Sequence, residues 1–154
     1  MNRSIIATSS LIRKYKKRPF SVCLIEDNKL YLQGLVHQIK NSIPNIKLSG
    51  FSRSSTFVQN LRHKPDIAIL DFNLDERSEI EGIELIQELK AQSPKTKIIV
   101  LTGEKSKFIE EECRNEGVFD YVIKEEKAIE TIAEEIKSIM DNMLKDMEKR
   151  AFNN

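Results

Sequence analysis

The chain has 154 residues, 40% of them hydrophobic and 32% charged, with a net charge of +1. That composition suits one soluble domain with a buried core and excludes a disordered chain or a global affinity for nucleic acid. No apolar run approaches the roughly 20 residues that span a bilayer, and Ile5-Ile6-Ala7 is too short, with its basic cluster on the wrong side, for a secretory signal.

Residues 1–19 carry Arg3, Arg13, Lys14, Lys16, Lys17 and Arg18 and no acid, whereas the remainder carries 19 bases against 24 acids. A basic arm therefore precedes a mildly acidic body. Such an arm suits an anionic partner or a solvated tail. From Phe20 onward, short apolar runs alternate with amphipathic stretches. The runs at 22–25, 46–51, 67–70, 98–101 and 121–123 are rich in β-branched residues and short enough for strands. Those at 67–70 and 98–101 are apolar throughout, as in parallel strands covered on both faces.

The intervening stretches read as helices. Residues 29–42 place Leu32, Leu35, Val36 and Ile39 on one face. Residues 55–63 follow Ser54, a candidate cap, and carry Phe57, Val58 and Leu61. Residues 83–92 carry Ile83, Leu85, Ile86 and Leu89, and residues 105–115 carry Phe108, Ile109 and Cys113. A last stripe runs Ile129, Ile132, Ile136, Ile139, Met143, Met147. Pro44 and Pro94 fall just after helical stretches, where proline stops a helix. The order is (βα)5, for which right-handed crossovers give a doubly wound parallel sheet. Cys23 reads as core and Cys113 as helix packing; their wide separation suits a reduced, cytosolic protein. His37 and His63 read as helix-surface residues.

In an open α/β sheet, ligands collect at the carboxyl ends of the strands, near the topological switch point. The first strand ends in Glu26-Asp27, the third in Asp71, the fourth in Thr102-Gly103 and the fifth in Lys124. Carboxylates gathered this closely raise each other's pKa, and a hard divalent cation relieves them. Magnesium suits one to three carboxylates with water and a phosphate oxygen. A carboxylate is also a nucleophile toward phosphorus, and a metal, a lysine and a hydroxyl donor match the charge on a transferring phosphoryl group.

Over about residues 20–142 the sequence resembles the response-regulator receiver family of two-component signalling. The matching motifs are Val22-Cys23-Leu24-Ile25-Glu26-Asp27-Asn28, Pro65-Asp66-Ile67-Ala68-Ile69-Leu70-Asp71, Ile98-Ile99-Val100-Leu101-Thr102-Gly103 and Asp120-Tyr121-Val122-Ile123-Lys124. The resemblance implies a flavodoxin-like three-layer sandwich with strand order 2-1-3-4-5. It implies that Asp71 accepts the phosphoryl group and that Glu26, Asp27, Asp71 and the backbone carbonyl of Asn73 hold Mg2+. It implies that Thr102 and Lys124 meet the phosphoryl group, that Tyr121 turns inward when the switch is on, and that Asn73 and Glu104 set the lifetime of the phosphoform. The Asn73/Glu104 pairing matches chemotaxis-type receivers, which implies a short lifetime.

Two departures stand out. The family's usual proline after the lysine, often in a cis peptide, is Glu125 here, which predicts a looser loop. The segment from Asp71 to Gly82 is three residues longer than usual, and its insert Asp75-Glu76-Arg77-Ser78-Glu79 reads as a solvated loop or a contact for a partner kinase. The expected function is a cytoplasmic phosphorelay switch served by a sensor histidine kinase or phosphotransfer protein, acting on a downstream protein or an output domain outside this chain. It turns over no external substrate and binds neither nucleic acid nor membrane through the receiver. The alternatives are a receiver-like binding module that no longer uses phosphate and an aspartate-nucleophile phosphatase. The latter usually has a second aspartate where Asn73 stands. The stripe from Ile129 to Met147 has 3-4-3-4-4 spacing and carries the last helix into residues 143–154, past the usual receiver end, which suits a homodimer seam, a lead into an output domain or a frayed end.

Overall fold

The computed structural model describes residues 18–74 and 80–153. Among these residues five strands alternate with five helices. In chain order they are β1 (Phe20–Ile25), α1 (Lys29–Ser42), β2 (Ile46–Phe51), α2 (Ser54–Asn60), β3 (Ile67–Leu70), α3 (Gly82–Gln92), β4 (Lys97–Thr102), α4 (Lys107–Asn115), β5 (Asp120–Ile123) and α5 (Ala128–Phe152). A 3-10 turn, Leu61–His63, finishes α2.

All strand pairs are parallel and the order is β2-β1-β3-β4-β5, as the sequence resemblance implied. The chain steps outward from β1 to β2, then crosses back to β3 and continues the other way. The direction reverses between β1 and β3, which opens a crevice at their carboxyl ends. Ile25 pairs with Leu70, so Glu26-Asp27 and Asp71 leave the sheet side by side.

Side chains alternate across each strand and so divide the core into two layers. Val22, Leu24, Ile67, Ile69, Ile99 and Leu101 face α1 and α5, meeting Leu35, Ile39, Ile132, Ile136 and Ile139. Cys23, Ile25, Ala68, Leu70, Ile98 and Val100 face α2, α3 and α4, meeting Phe57, Leu61, Leu85, Leu89 and Cys113. Every residue of β3 is buried, which is why its sequence shows no alternation. Both cysteines are buried and free.

Two helices, α1 and α4, have a capping side chain at the N-terminus. Asn28 caps α1, its side chain accepting the Tyr31 N–H at 3.0 Å. Ser106 caps α4 by accepting the Ile109 N–H at 3.4 Å. Ser54 is not the cap of α2. That position is Arg53, extended and without a capping side chain. Ser54 is instead the first helical residue, buried, and its hydroxyl accepts the Ile80 N–H at 3.5 Å. A serine before an apolar stripe serves equally as a cap or as a tether for a neighbouring loop, and here tertiary contact decided. His37 and His63 are exposed and contact Asn41 and Arg62.

The last helix is 25 residues long, about 37 Å at 1.5 Å per residue. Its Ile132, Ile136 and Ile139 enter the core, whereas Met143 and Met147 beyond them are half-buried. No helix among the described residues is long and apolar enough to cross a membrane.

Candidate functional site

Three turns bring the chemistry to the carboxyl edge. Glu26, directly after β1, is buried, and its Oε1 accepts the Asn28 N–H at 3.0 Å. Asp71, directly after β3, is 6% exposed, and its Oδ1 accepts the Asn73 N–H at 3.1 Å. Asp27 is half-buried beside them. Oxygens of these three carboxylates all lie within 4.8 Å of one another.

Lys124 crosses from β5 to meet them. Its backbone N–H donates to the Thr102 carbonyl at 2.8 Å, which fixes the turn. Its ammonium donates to Asp71 Oδ2 at 2.8 Å and to Glu26 Oε2. The same ammonium lies over the Tyr31 ring, 4.7 Å from its centroid, a cation–π contact. Burial pulls the lysine pKa down, but hydrogen bonds to Asp71 and Glu26, with their charge, leave it above its ordinary value. It is therefore a fixed cation at neutral pH. Burial pushes Glu26 up; Lys124 and the Asn28 amide pull it back, Asp71 pushes it further, and the result lies above the ordinary carboxylate value.

The cluster carries three carboxylates and one ammonium, a formal charge of −2 when all are ionised. At the outer separation of 4.8 Å, repulsion between two unit charges is about 1 kcal/mol in water and roughly 3 kcal/mol at an effective dielectric of 20. An all-oxygen, anionic donor set with that residual repulsion fits a hard divalent cation and not a soft one.

The neighbouring loop is ordered by three hydrogen bonds. Thr102 is fully buried, and its Oγ1 accepts the Glu104 N–H at 3.3 Å. Tyr121 is buried, and its hydroxyl donates to the Glu104 carbonyl at 2.7 Å. The Glu104 carboxylate accepts the Ser106 N–H at 3.1 Å. Burial, followed by negative charge around the ring, pushes the Tyr121 hydroxyl up to about 12, so it keeps the proton it donates. The inward ring thus ties the loop after β4 to β5.

The departures are handled locally. Where the proline would stand, the Glu125 N–H donates to the Ile123 carbonyl at 2.8 Å and makes a tight turn. Its carboxylate meets Lys105 at 3.3 Å, an exposed pair of little energetic weight. Lys124 thus keeps its contacts to Asp71 and Glu26 without the proline. The insert 75–79 lies outside the described residues, as do residues 1–17 of the basic arm. On either side of the insert, the Leu74 N–H donates to Glu81 Oε2 at 2.9 Å and the Gly82 N–H to the Phe72 carbonyl at 3.0 Å. These two bonds bring the described residues on either side of the insert together. Gly82 has φ +59°, and a Cβ there would sit 3.1 Å from the Phe72 ring. Glycine is favoured there for both reasons.

Sequence reasoning missed Tyr31, Glu81 and the part Asn28 plays in orienting Glu26. Asn28 had a readable signal, a capping residue three positions before Tyr31. Tyr31 had none, because its contact is with Lys124 at the far end of the chain.

A family model described as the response regulator receiver domain matches residues 22–137. The chain belongs to that family. Among curated proteins the receiver is 26% identical over 125 residues to a protein-glutamate methylesterase/protein-glutamine glutaminase of Treponema denticola. The match takes 76% of this chain and 33% of that protein, so the receiver spans about a third of its relative's length. Solved structures share its fold. The BeF3-activated DrrB receiver domain superposes with a TM-score of 0.69 at 20% identity, covering 80% of this chain and 98% of that one. A CheY-like receiver domain protein of Methanospirillum hungatei gives 0.68 at 19% identity, covering 86% and 98%. A LuxR-family DNA-binding response regulator of Staphylococcus aureus gives 0.68 at 24% identity, covering 78% and 98%.

Proposed function

We propose that this receiver, spanning residues 20–142, takes a phosphoryl group onto Asp71 from a sensor histidine kinase or phosphotransfer protein and thereby switches a protein-binding surface. The observation that carries the reading is the Lys124 ammonium 2.8 Å from Asp71 Oδ2, inside a carboxylate cluster at the β1/β3 switch point. Glu26, Asp27, Asp71 and the backbone carbonyl of Asn73 would hold Mg2+, which when bound neutralises carboxylate and phosphoryl charge.

The chain's own residues do the rest. A carboxylate oxygen of Asp71 forms the new O–P bond while the bond from phosphorus to the donor breaks, its electron pair leaving with the donor. The breaking bond is P–N with a phosphohistidine and P–O with acetyl phosphate. Lys124 is already protonated and in place, so it offsets charge on the phosphoryl oxygens without reorganising. Thr102 Oγ1 accepts from the Glu104 amide and keeps its own O–H to donate to the phosphoryl group. That donation competes with the present loop geometry, and Tyr121 carries the change toward β5 and α4. Asn73 and Glu104 flank the site and set a short lifetime for the phosphoform. No external substrate is turned over, and the setting is the cytoplasm, where both partners act. Residues 1–19 and 143–154 are appendages to this unit.

The test is phosphoryl uptake from acetyl phosphate with and without Mg2+. One phosphoryl group per chain, dependent on the metal and absent in Asp71→Asn, is the expected result. Equal uptake by Asp71→Asn sinks the reading.

A further inference from the structure

The opposite end of the sheet carries a second feature, independent of the carboxylate cluster. The last turns of α5, the turn before β4 and the amino ends of β4 and β5 enclose a groove. Its two parts measure about 760 and 340 Å3. Phe119, Met143 and Met147 supply its apolar floor. Phe119 is 37% exposed, and both methionines are half-buried. Six cations line the groove: Lys90, whose ammonium donates to the Glu116 carbonyl, and Lys95, Lys97, Lys145, Lys149 and Arg150 on the rim, opposed by a single lining carboxylate, Asp146. None of the five rim side chains has an ion pair or hydrogen bond with a described residue.

We propose that this groove is a docking surface for an acidic, amphipathic protein segment. A neutral apolar segment would cover the floor but gain nothing from the positive rim. A nucleic-acid backbone would satisfy the rim and leave Phe119, Met143 and Met147 without a partner. A segment with Glu or Asp on its flanks and one or two apolar anchors satisfies both. Methionine side chains adapt to anchors of differing shape, and lysine stems extend the apolar floor while their ammonium groups stay in water. Rim charges steer the encounter and the floor slows departure. The groove lies about 20 Å from Asp71, one six-residue strand away. Both surfaces can therefore be occupied at once.

A fluorescein-labelled peptide of glutamates with leucine and phenylalanine at every third or fourth position is the probe. It is titrated into the whole chain by fluorescence anisotropy and followed by amide-resolved NMR. Saturable binding is expected, with amide shifts confined to residues 95–97, 117–119 and 143–150. Lys149→Glu with Arg150→Glu should weaken it about tenfold, and Phe119→Ser should do the same. Both variants are checked for native amide dispersion. Absence of saturable binding, binding that neither variant alters, or shifts outside the groove overturns the proposal. A single-stranded oligonucleotide that binds as tightly and ignores Phe119→Ser overturns it in favour of a polyanion site. Self-association of the chain through these residues in place of peptide binding overturns it in favour of a dimer interface.

Discussion

The two ends of the sheet treat charge in opposite ways. At the carboxyl end, Glu26, Asp71 and Lys124 are held against one another in a partly dehydrated crevice. At the amino end, five cations stand in solvent around an apolar floor without a partner among the described residues. Surface charge of the second kind costs little to keep. Buried charge of the first kind is costly unless each group is paired, and Asp27 is left over. Keeping three carboxylates on one ammonium costs stability there, as the proposed phosphoryl site would require. The contrast matches the two proposals, a phosphoryl-accepting site at the first end and a docking surface at the second.

The comparison breaks most visibly at Lys124. Lys124→Ala should slow phosphoryl uptake from acetyl phosphate by about 10²–10³-fold, the usual cost of losing a preorganised charge at a transferring group; an unchanged initial rate would remove the lysine from the mechanism. Asp27→Asn should do the reverse for stability. Relieving one repulsion at a half-exposed carboxylate raises the unfolding free energy without metal by about 1 kcal/mol at most, and the stabilisation that Mg2+ gives the native chain should shrink with it. Urea melts with and without Mg2+ measure both. Gly82→Ala should cost about 1–2 kcal/mol, from the left-handed backbone and the Phe72 ring together.

Tyr121→Phe is milder, about 0.5–1.5 kcal/mol for the lost bond to the Glu104 carbonyl. It also carries a pH signature. The folded hydroxyl ionises near 12 rather than at its ordinary value of 10. The unfolded chain therefore sheds that proton first, and this contribution to stability, full below pH 10, is lost as pH rises through 12. The variant should lack that decline, and an ultraviolet titration should lose its latest phenolate. At the other end of the sheet, Lys149→Glu should change stability by less than about 0.5 kcal/mol. A larger loss would mean that the rim is structural and the contrast misplaced.

What the sequence revealed follows from the range of the interactions. β2, β3 and α1 were readable to the residue, because apolar runs, the stripe of Leu32, Leu35, Val36 and Ile39, and Pro44 are local signals. The carboxyl-edge residues were readable because a strand end followed by an acid, hydroxyl or lysine is local too, and the fold then collects them. Ser54 misled because its use depends on Ile80, across a loop. Tyr31 stayed hidden because only the fold sets it under Lys124. The stripe on α5 was readable, but its division was not. The sheet takes Ile132, Ile136 and Ile139, and the groove takes Met143 and Met147 once β4 and β5 stand opposite.

The most direct test of the central claim is to map the phosphoryl group. The chain is treated with Mg2+ and acetyl phosphate, trapped by borohydride reduction, digested and read by tandem mass spectrometry. A single modified position at Asp71, absent when Mg2+ is chelated, is the result this account predicts. Modification at Asp27, Glu26 or a residue away from the cluster, or none at all, would contradict it.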